Sequence, residues 1–403
     1  MNDHFQDQLG AMLRTRADHA DTNPVTFDTV RSTAGRIRRR RIAAAVVTTV
    51  GVVGIPATIA VSTLGGDAGS DPTYVAAAPT FSAGSGTAAP PSTLEPGTLE
   101  KGADADADLV YDGTLHTADG RALALPEGYS EVHRWHDGWL AINHAGGESS
   151  ATALMLDADG RSVGEPFETN GFVVSSSDGS QLLLMAGEEL RILEANGEVT
   201  VVARGLNPMT IPVGIDDAGA VYFNEVDPTT YERDGRVWRD GEITDPTPRA
   251  MEPLDAVNGQ GFTTRIVKST VDGECTAVFA PNGTQQARTC DVGPAQFSPD
   301  GTAVTYVPAY RSGEGDTQFG ILGADWSQPL AAFSNPGSAA GPAPLFRNSV
   351  WEDDEHALVL VSEQRAGTLD VTWYVVRVAT DGSTELAAKP VTALEGDQVT
   401  LGR

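Results

Sequence analysis

The stretch Cys275–Val307 reads CTAVFAPNGTQQARTCDVGPAQFSPDGTAVTYV. Short runs of β-prone residues flank Asn282-Gly283 in its first half and Asp300-Gly301 in its second. Asn-Gly and Asp-Gly between such runs signal hairpins, because a tight turn between strands requires positive φ. No run has the length or the spacing of an amphipathic helix. The stretch therefore reads as strand, turn, strand, twice over.

Outward from it, the pattern continues from about Asp108 to the C-terminus. Val174–Glu198, Trp351–Val361 and Val376–Leu386 read the same way. One series of turn residues precedes an apolar strand: Asp137, Asp178, Asp217, Asn258, Asp300 and Asp354. A second sits before a later strand: Asp119, Asp159, Asn196, Asp240, Asn282, Asp325 and Asp381. Within each series the members stand about 40 residues apart, and the last interval is longer, which places an insertion at Ala331–Pro344. Several strands per unit of about 40–45 residues is the signature of a β-propeller blade. The second series has one extra member, Asp119, in an orphan hairpin at Tyr111–Pro126, and the unassigned C-terminal run QVTLGR reads as a strand. Together the two ends would build one more blade and close the ring. The expected fold is an all-β propeller over 108–403, with seven blades favoured over six.

Both cysteines, Cys275 and Cys290, flank the Asn282-Gly283 turn. A two-residue turn puts them directly opposite, as a hydrogen-bonded pair about 5.5 Å apart and within disulfide reach. Pro281 opposes that turn because it has no N–H to donate. A three-residue Pro-Asn-Gly loop shifts the register by one, and a bridge then needs a compensating bulge. Both loops remain open from sequence.

The N-terminal part is different. Arg36, Arg38, Arg39, Arg40 and Arg41 run into Ile42–Leu64, 23 residues without a charge. As a helix that run is about 35 Å long, enough to cross a bilayer core. Pro56 is tolerated in such a helix. The arginines orient it with the N-terminus cytoplasmic and the rest extracytoplasmic. A cleaved signal peptide is the rival, but the apolar run is too long for the usual h-region and the leading segment too long for an n-region. No cysteine follows the run to carry a lipid anchor. Residues 1–41 show two helical stripes, Phe5/Leu9/Met12/Leu13 and Phe27/Val30/Ala34/Ile37, suited to a membrane surface or a partner. Residues 65–107, rich in Gly, Ala, Pro, Ser and Thr, read as a disordered tether. Its end, DADADL at Asp104–Leu109, lacks the glycine and the closing Glu of a calcium loop.

The net charge is −28. Such an acidic chain repels phosphate, which argues against nucleic acid as a partner. Only three lysines accompany 24 arginines. None of the common nucleophile, zinc-protease or phosphate-loop motifs occurs. His133 and His136 form an H-x-x-H, but on a strand their odd separation sends them to opposite faces. The six tryptophans (135, 139, 238, 326, 351, 373) are read as packing between blades. No catalytic residue, metal ligand or cofactor site is assigned.

The order of parts resembles the single-pass membrane β-propeller proteins of actinobacteria, related to WD-repeat and TolB-like propellers. RIRRRR with its apolar helix, LVYDGTLHTADGRALALP, HDGWLAIN, the opening stretch, WEDDEHALVLV and WYVVRVATDGSTEL carry the likeness. The Gly-His and Trp-Asp pairs of true WD repeats are absent. The resemblance implies fold and location and leaves the reaction unspecified. Three functions follow as expectations. The first is a non-catalytic extracytoplasmic platform or sensor for a protein or envelope ligand. The second is a regulator that holds a cytoplasmic partner, such as a sigma factor, through residues 1–41. The third is a hydrolase on a propeller scaffold.

Overall fold

The computed structural model describes residues 91–402 apart from 145–149, 245–251, 271–272, 309–315, 324–325, 327–328, 336–343, 365–367, 369 and 395–398. Residues 1–41, the orienting arginines, the span Ile42–Leu64, most of the tether and Asp325 lie outside the described residues. Among the described residues no helix is long and apolar enough to cross a membrane.

The described chain is all β, in six sheets of mostly consecutive antiparallel strands. Sheet I joins Thr400–Gly402, Asp108–Tyr111, Thr114–His116 and Ala122–Ala124. Sheet II has seven strands: Glu131–Trp135, Gly138–Asn143, Ala151–Leu156, Phe167–Ser175, Gln181–Ala186, Glu189–Glu194 and Val199–Arg204. Sheet III comprises Ile211–Ile215, Val221–Val226, Arg233–Arg239 and Glu242–Thr244. Sheet IV comprises Leu254–Val257, Thr263–Thr270, Gly273–Phe279 and Gln285–Thr289. Sheet V comprises Val292–Phe297, Ala303–Pro308, Gln318–Gly323 and Pro329–Ser334, with Ser92–Thr93 added at its edge. Sheet VI comprises Leu345–Trp351, His356–Gln364, Asp370–Ala379 and Thr384–Leu386, and Val391–Leu394 pairs with its third strand.

This is a propeller, closed as expected by pairing of the two chain ends: Leu109 faces Leu401 and Val110 faces Thr400. The expectation of seven separate blades is not met. Five sheets have the strand count of a single blade, and the sixth is one continuous seven-stranded sheet. Its continuity resides in the long strand Phe167–Ser175. The first part pairs backwards through Phe167–Ala153 and Thr169–Ala151, and the second pairs forwards through Val173–Leu184 and Ser175–Leu182.

Apolar residues pack chiefly between sheets. Phe319, Phe333, Phe346 and Val376 join sheets V and VI. Leu358, Val375 and Leu401 join VI and I, and Val110, Leu115, Val132 and Trp139 join I and II. Ile192, Val202, Val221 and Phe223 join II and III. Period-2 alternation is weak in the central strands because neighbouring sheets cover both of their faces.

Several of the turns share one construction. In Ala280–Thr284 the Gly283 N–H donates to Ala280 O over 2.8 Å and the Ala280 N–H to Thr284 O over 2.9 Å, with Gly283 at φ 80°. This is a type I turn closed by a glycine in the left-handed region, not a two-residue turn. Pro281 occupies the second turn position, where its fixed φ is an asset and no N–H is needed. The same bonds recur at Thr117–Arg121, Asp157–Arg161, Glu194–Glu198, Asp216–Ala220 and Asn258–Phe262.

The three-residue loop decides the cysteines. Phe279 faces Gln285 beside the turn, but Val278 faces Ala287 and Thr276 faces Thr289 after a bulge. That bulge restores the register in which Cys275 meets Cys290, and they are disulfide-bonded with Cα atoms 3.9 Å apart. They are closer than the expected 5.5 Å; the pair lies one position beyond the end of the ladder.

Two boundaries need correction. The end of the 65–107 tether is folded structure from residue 91 onward. Ser92–Thr93 pairs in parallel with Phe333–Ser334, and Leu94 is buried in the apolar cluster between sheets V and VI. Gly102 N–H donates to Leu386 O and Ala105 N–H to Ala387 O, each over 2.9 Å. In DADADL, Ala105, Ala107 and Asp108 are buried while Asp104 and Asp106 are exposed. The alternating run is thus a strap with its alanines turned inward. The insertion assigned to Ala331–Pro344 also starts too early, since Ala331–Ser334 belongs to a strand of sheet V.

Candidate functional site: the central channel

A cavity of about 680 Å³ runs between the sheets, lined by the innermost strands of all six. Its walls come from Glu131–Arg134 and Val173–Ser177 of sheet II, Pro212–Ile215 of III and Asp255–Asn258 of IV, then from Ala295–Pro299 of V, Phe346–Trp351 of VI and Leu401–Gly402 of I.

The inner strands of sheets III to VI are all irregular at the same place. The register shifts between Pro212 and Gly214, Leu254 and Ala256, Pro294 and Gln296, and Phe346 and Asn348. The extra residues are Val213, Asp255, Ala295 and Arg347, and every one lines the cavity. A bulge leaves its residue out of the ladder and bends the strand, so it re-aims a side chain. A repeated bulge therefore puts a ring of chemically unlike side chains on the channel wall. Arg347 is exposed there, with Nε donating to Ser362 Oγ over 2.8 Å and the guanidinium 5.9 Å from the Trp373 ring centroid.

On the sheet II side the wall carries Glu131 and His133. His133 Nε2 donates to Glu131 Oε1 over 2.8 Å, and His144 Nε2 donates to Glu131 Oε2 over 2.9 Å. Burial alone would raise the Glu131 pKa, but the two imidazoles outweigh it and hold the carboxyl at about 2. The hydrogen bond to Glu131 raises His144 against a smaller opposing effect of burial. His133 is 7 % exposed and its Nδ1 has no hydrogen-bond partner. Glu131 thus stays ionised and fixes the orientation of two imidazoles, the arrangement of a polar recognition wall.

The H-x-x-H residues are separated, because the strand that carries His133 ends at Trp135. His133 is in the wall, whereas His136 sits in the following turn at φ 54° and donates from Nδ1 to Ala195 O over 2.9 Å. Among the described residues no group of three or more His, Cys, Asp or Glu is arranged to hold a metal.

The turn residues Asp119, Asp137, Asp159, Asp178, Asn196, Asp217, Asp240, Asn258, Asn282, Asp300 and Asp381 all stand between consecutive strands. Their places in the turns differ. Gly179, Gly283 and Gly301 directly follow Asp178, Asn282 and Asp300 at positive φ, whereas the positive-φ glycine is Gly219 after Asp217 and Gly261 after Asn258. Several turns of the first series clasp their neighbours at one rim of the channel. Ser177 Oγ donates to Asp217 Oδ1 over 3.0 Å, Asp217 N–H to Gly259 O over 2.7 Å, and Asp300 N–H to Asp354 Oδ1 over 2.9 Å. Of the tryptophans, Trp351 and Trp139 each link two sheets directly, Trp351 donating to Gln296 O over 3.0 Å and Trp139 to Asp108 Oδ2 over 2.7 Å.

No sequence motif marks Glu131, His144, Asp255 or Arg347. The repeat itself held a usable signal. Val213, Asp255 and Ala295 each stand six residues before the positive-φ glycine of the next turn, Gly219, Gly261 and Gly301.

No profile of a known protein family matches the chain, and no curated protein matches it. Solved structures resemble the chain. The putative TolB of Agrobacterium tumefaciens is 15 % identical, with 58 % of this chain and 84 % of that one covered and a TM-score of 0.37. Hsv2 of Kluyveromyces lactis is 10 % identical over 74 % of this chain and 96 % of that one, with a TM-score of 0.41. Prolyl oligopeptidase B of Galerina marginata is 10 % identical over 69 % of this chain and 45 % of that one, with a TM-score of 0.45. At these identities and TM-scores the likeness carries no argument of its own; the sheets and the paired chain ends are what make the described chain a β-propeller.

Proposed function

We propose that the protein is a membrane-anchored binding platform, non-catalytic, whose extracytoplasmic propeller takes a protein or envelope ligand at its central channel. The recurrent bulge carries this reading. Four inner strands each depart from regular pairing at one equivalent position, and the residues they release are apolar, acidic, small and basic. Packing alone needs no such variety at one level of a channel wall, whereas recognition does. The anchor and the orientation rest on Ile42–Leu64 and the arginines before it.

On the same reading the seven-stranded sheet is two blade-equivalents joined along Phe167–Ser175. Two observations support this. Leu140, Ile142 and Ala153 of its first half pack against Leu182, Leu184 and Leu193 of its second, as neighbouring sheets do elsewhere. Both halves also contribute an inner strand to the channel.

The test is crosslinked capture from native membranes with the full chain, wild type against an Asp255→Ala/Arg347→Ala double variant. The wild type should retain a reproducible envelope component that the double variant loses by at least about tenfold, the effect of one lost charge-assisted contact. Equal capture by both would overturn the channel reading. Protease added to spheroplasts should digest the propeller and spare residues 1–41; protection of the propeller would overturn the topology.

A further inference from the structure

Turns that follow the innermost strands clasp one another at one rim of the channel, through Ser177–Asp217, Asp217–Gly259 and Asp300–Asp354. The innermost strands begin at the opposite rim. Glu131 opens the first strand of sheet II, and Asp255 and Arg347 lie second and third in their strands. Asp316 exchanges both backbone bonds with Phe346 there, each over 2.8 Å. We propose, on the reading of the channel as the binding site, that this rim admits a lysine- or arginine-bearing segment of a protein partner, whose cationic side chain enters the channel beside Glu131.

The first ground is charge. Among the described residues the wall carries four carboxylates, Asp106, Glu131, Asp255 and Asp316, against two guanidinium groups, Arg134 and Arg347. Arg134 is already matched by the buried Asp108. The sum is negative, protonation of His144 does not reverse it, and it requires none of these groups to be unpaired. The whole chain carries −28. A cleft with an excess of one sign of charge concentrates ligands of the other.

The second ground is an acceptor on the wall. His133 is 7 % exposed and lines the channel. Its Nε2 donates to Glu131, so its Nδ1 presents a lone pair, and that atom has no hydrogen-bond partner. Buried polar atoms are nearly always satisfied, so an orphan acceptor marks where a donor belongs. An ammonium offers three donors and a guanidinium five, and neither has an acceptor.

The third ground is Phe172. It is 48 % exposed at the same rim, directly before the wall residue Val173. Pairing passes from Thr169–Ala186 to Val173–Leu184, so Asn170, Gly171 and Phe172 are looped out. Asn170 is buried and locks the loop, its Nδ2 donating to Thr210 O over 2.6 Å and its Oδ1 accepting from Phe172 N–H over 3.1 Å. Gly171, at φ 83°, lies against the His144 imidazole, where an added Cβ would come within 2.7 Å of Cε1. His144 in turn bonds Glu131. Folding gains nothing from holding a phenyl ring in water, whereas an aromatic face near a carboxylate receives both the stem and the charge of Lys or Arg.

The test is binding of fluorescein-labelled hexalysine to the purified full chain, read by anisotropy, with labelled hexaglutamate as the reference. It is run at about 0.15 M salt, where distant surface charges are screened. Saturable binding of hexalysine and none of hexaglutamate is expected. Glu131→Gln should weaken it about tenfold, the loss of a charge-assisted contact. Phe172→Ala, at an exposed position that tolerates the change, should weaken it about threefold. Glu198→Gln removes the same charge from an exposed turn away from the channel and should leave binding unchanged. Wild-type affinity in both rim variants, or an equal loss in Glu198→Gln, overturns the proposal. If the rim variants bind hexalysine as wild type does while Asp255→Ala/Arg347→Ala still loses its envelope component, the channel reading stands and the cationic ligand falls. Spermidine bound as tightly as hexalysine would assign the rim to a free polyamine, and chitotetraose bound in place of hexalysine would assign it to a glycan; either overturns the proposal.

Discussion

Arg134 grips Asp108 across the junction of sheets I and II, its Nε and Nη2 each 3.0 Å from a different carboxylate oxygen. Asp108 is fully buried and also accepts from Trp139 Nε1 over 2.7 Å and from Ala118 N–H over 2.9 Å. It begins the strand that pairs with the C-terminal Thr400–Gly402, so the junction where the ring closes is pinned by one carboxylate. Burial would raise the pKa of Asp108, but these donors together lower it.

Asp108→Asn should therefore cost about 2–3 kcal/mol, below the full loss for a buried pair because half of Arg134 reaches solvent. A group whose folded pKa is depressed stabilises above its unfolded value and ceases to do so as pH falls through the folded one. The wild-type advantage over Asp108→Asn should thus be complete above about pH 4 and fade in stronger acid. Urea unfolding of both proteins from pH 2 to 7 checks it; a constant difference across that range would refute the linkage.

Glu131 links two opposite titrations. Its lowered pKa, about 2 against 4.5, makes its contribution complete above about pH 4.5 and lost as pH falls towards 2. The raised pKa of His144 makes that contribution complete below about pH 6.5 and lost as pH rises through the raised value. The melting-temperature gap between wild type and Glu131→Gln should be widest between these limits and narrow on either side. A gap that grew steadily up to pH 9 would show that the His144 bond is absent.

Arg377 fastens the strap before Asp108. Its Nε and Nη2 lie 2.5 and 2.8 Å from the Glu352 carboxylate oxygens, it is paired with Glu385, and it donates to Ala103 O and Asp104 O, each over 3.2 Å. Arg377→Met keeps the stem but leaves Glu352 unpaired, at a cost of about 3 kcal/mol. Hydrogen exchange at the Gly102 and Ala105 amides should accelerate while the strands of sheet III stay protected. Unchanged exchange at those two amides would mean that Arg377 does not hold the strap.

The Cys275–Cys290 bridge closes a span of 15 residues. On the chain-entropy estimate its loss costs about 3 kcal/mol. The Cys275→Ala/Cys290→Ala variant should unfold at lower urea concentration with the propeller otherwise intact, as judged by a native near-ultraviolet spectrum. An identical midpoint would show that the hairpin holds without the bridge.

The regularity of the fold was legible in the chain because its signals are local. Asp-Gly and Asn-Gly between β-prone runs set hairpins, and their recurrence about every 40 residues set a propeller. The orphan hairpin and QVTLGR announced the closure, since a ring leaves each end only the other to pair with. The disulfide was legible as a pairing, but the choice of loop was not. The bulge after Val278 that reconciles Pro281 with the bridge forms only once the strand lies in its sheet. The strap was misread for a related reason. Alanines alternating with aspartates look like solvated linker until an edge strand lies beside them to cover the alanines. The continuous seven-stranded sheet was hidden because Phe167–Ser175 serves two neighbours, and pairing partners are a property of space. The channel wall depended most on tertiary structure. Glu131, His133, Asp255 and Arg347 are ordinary residues along the chain, and only closure of the ring gives them a common cavity.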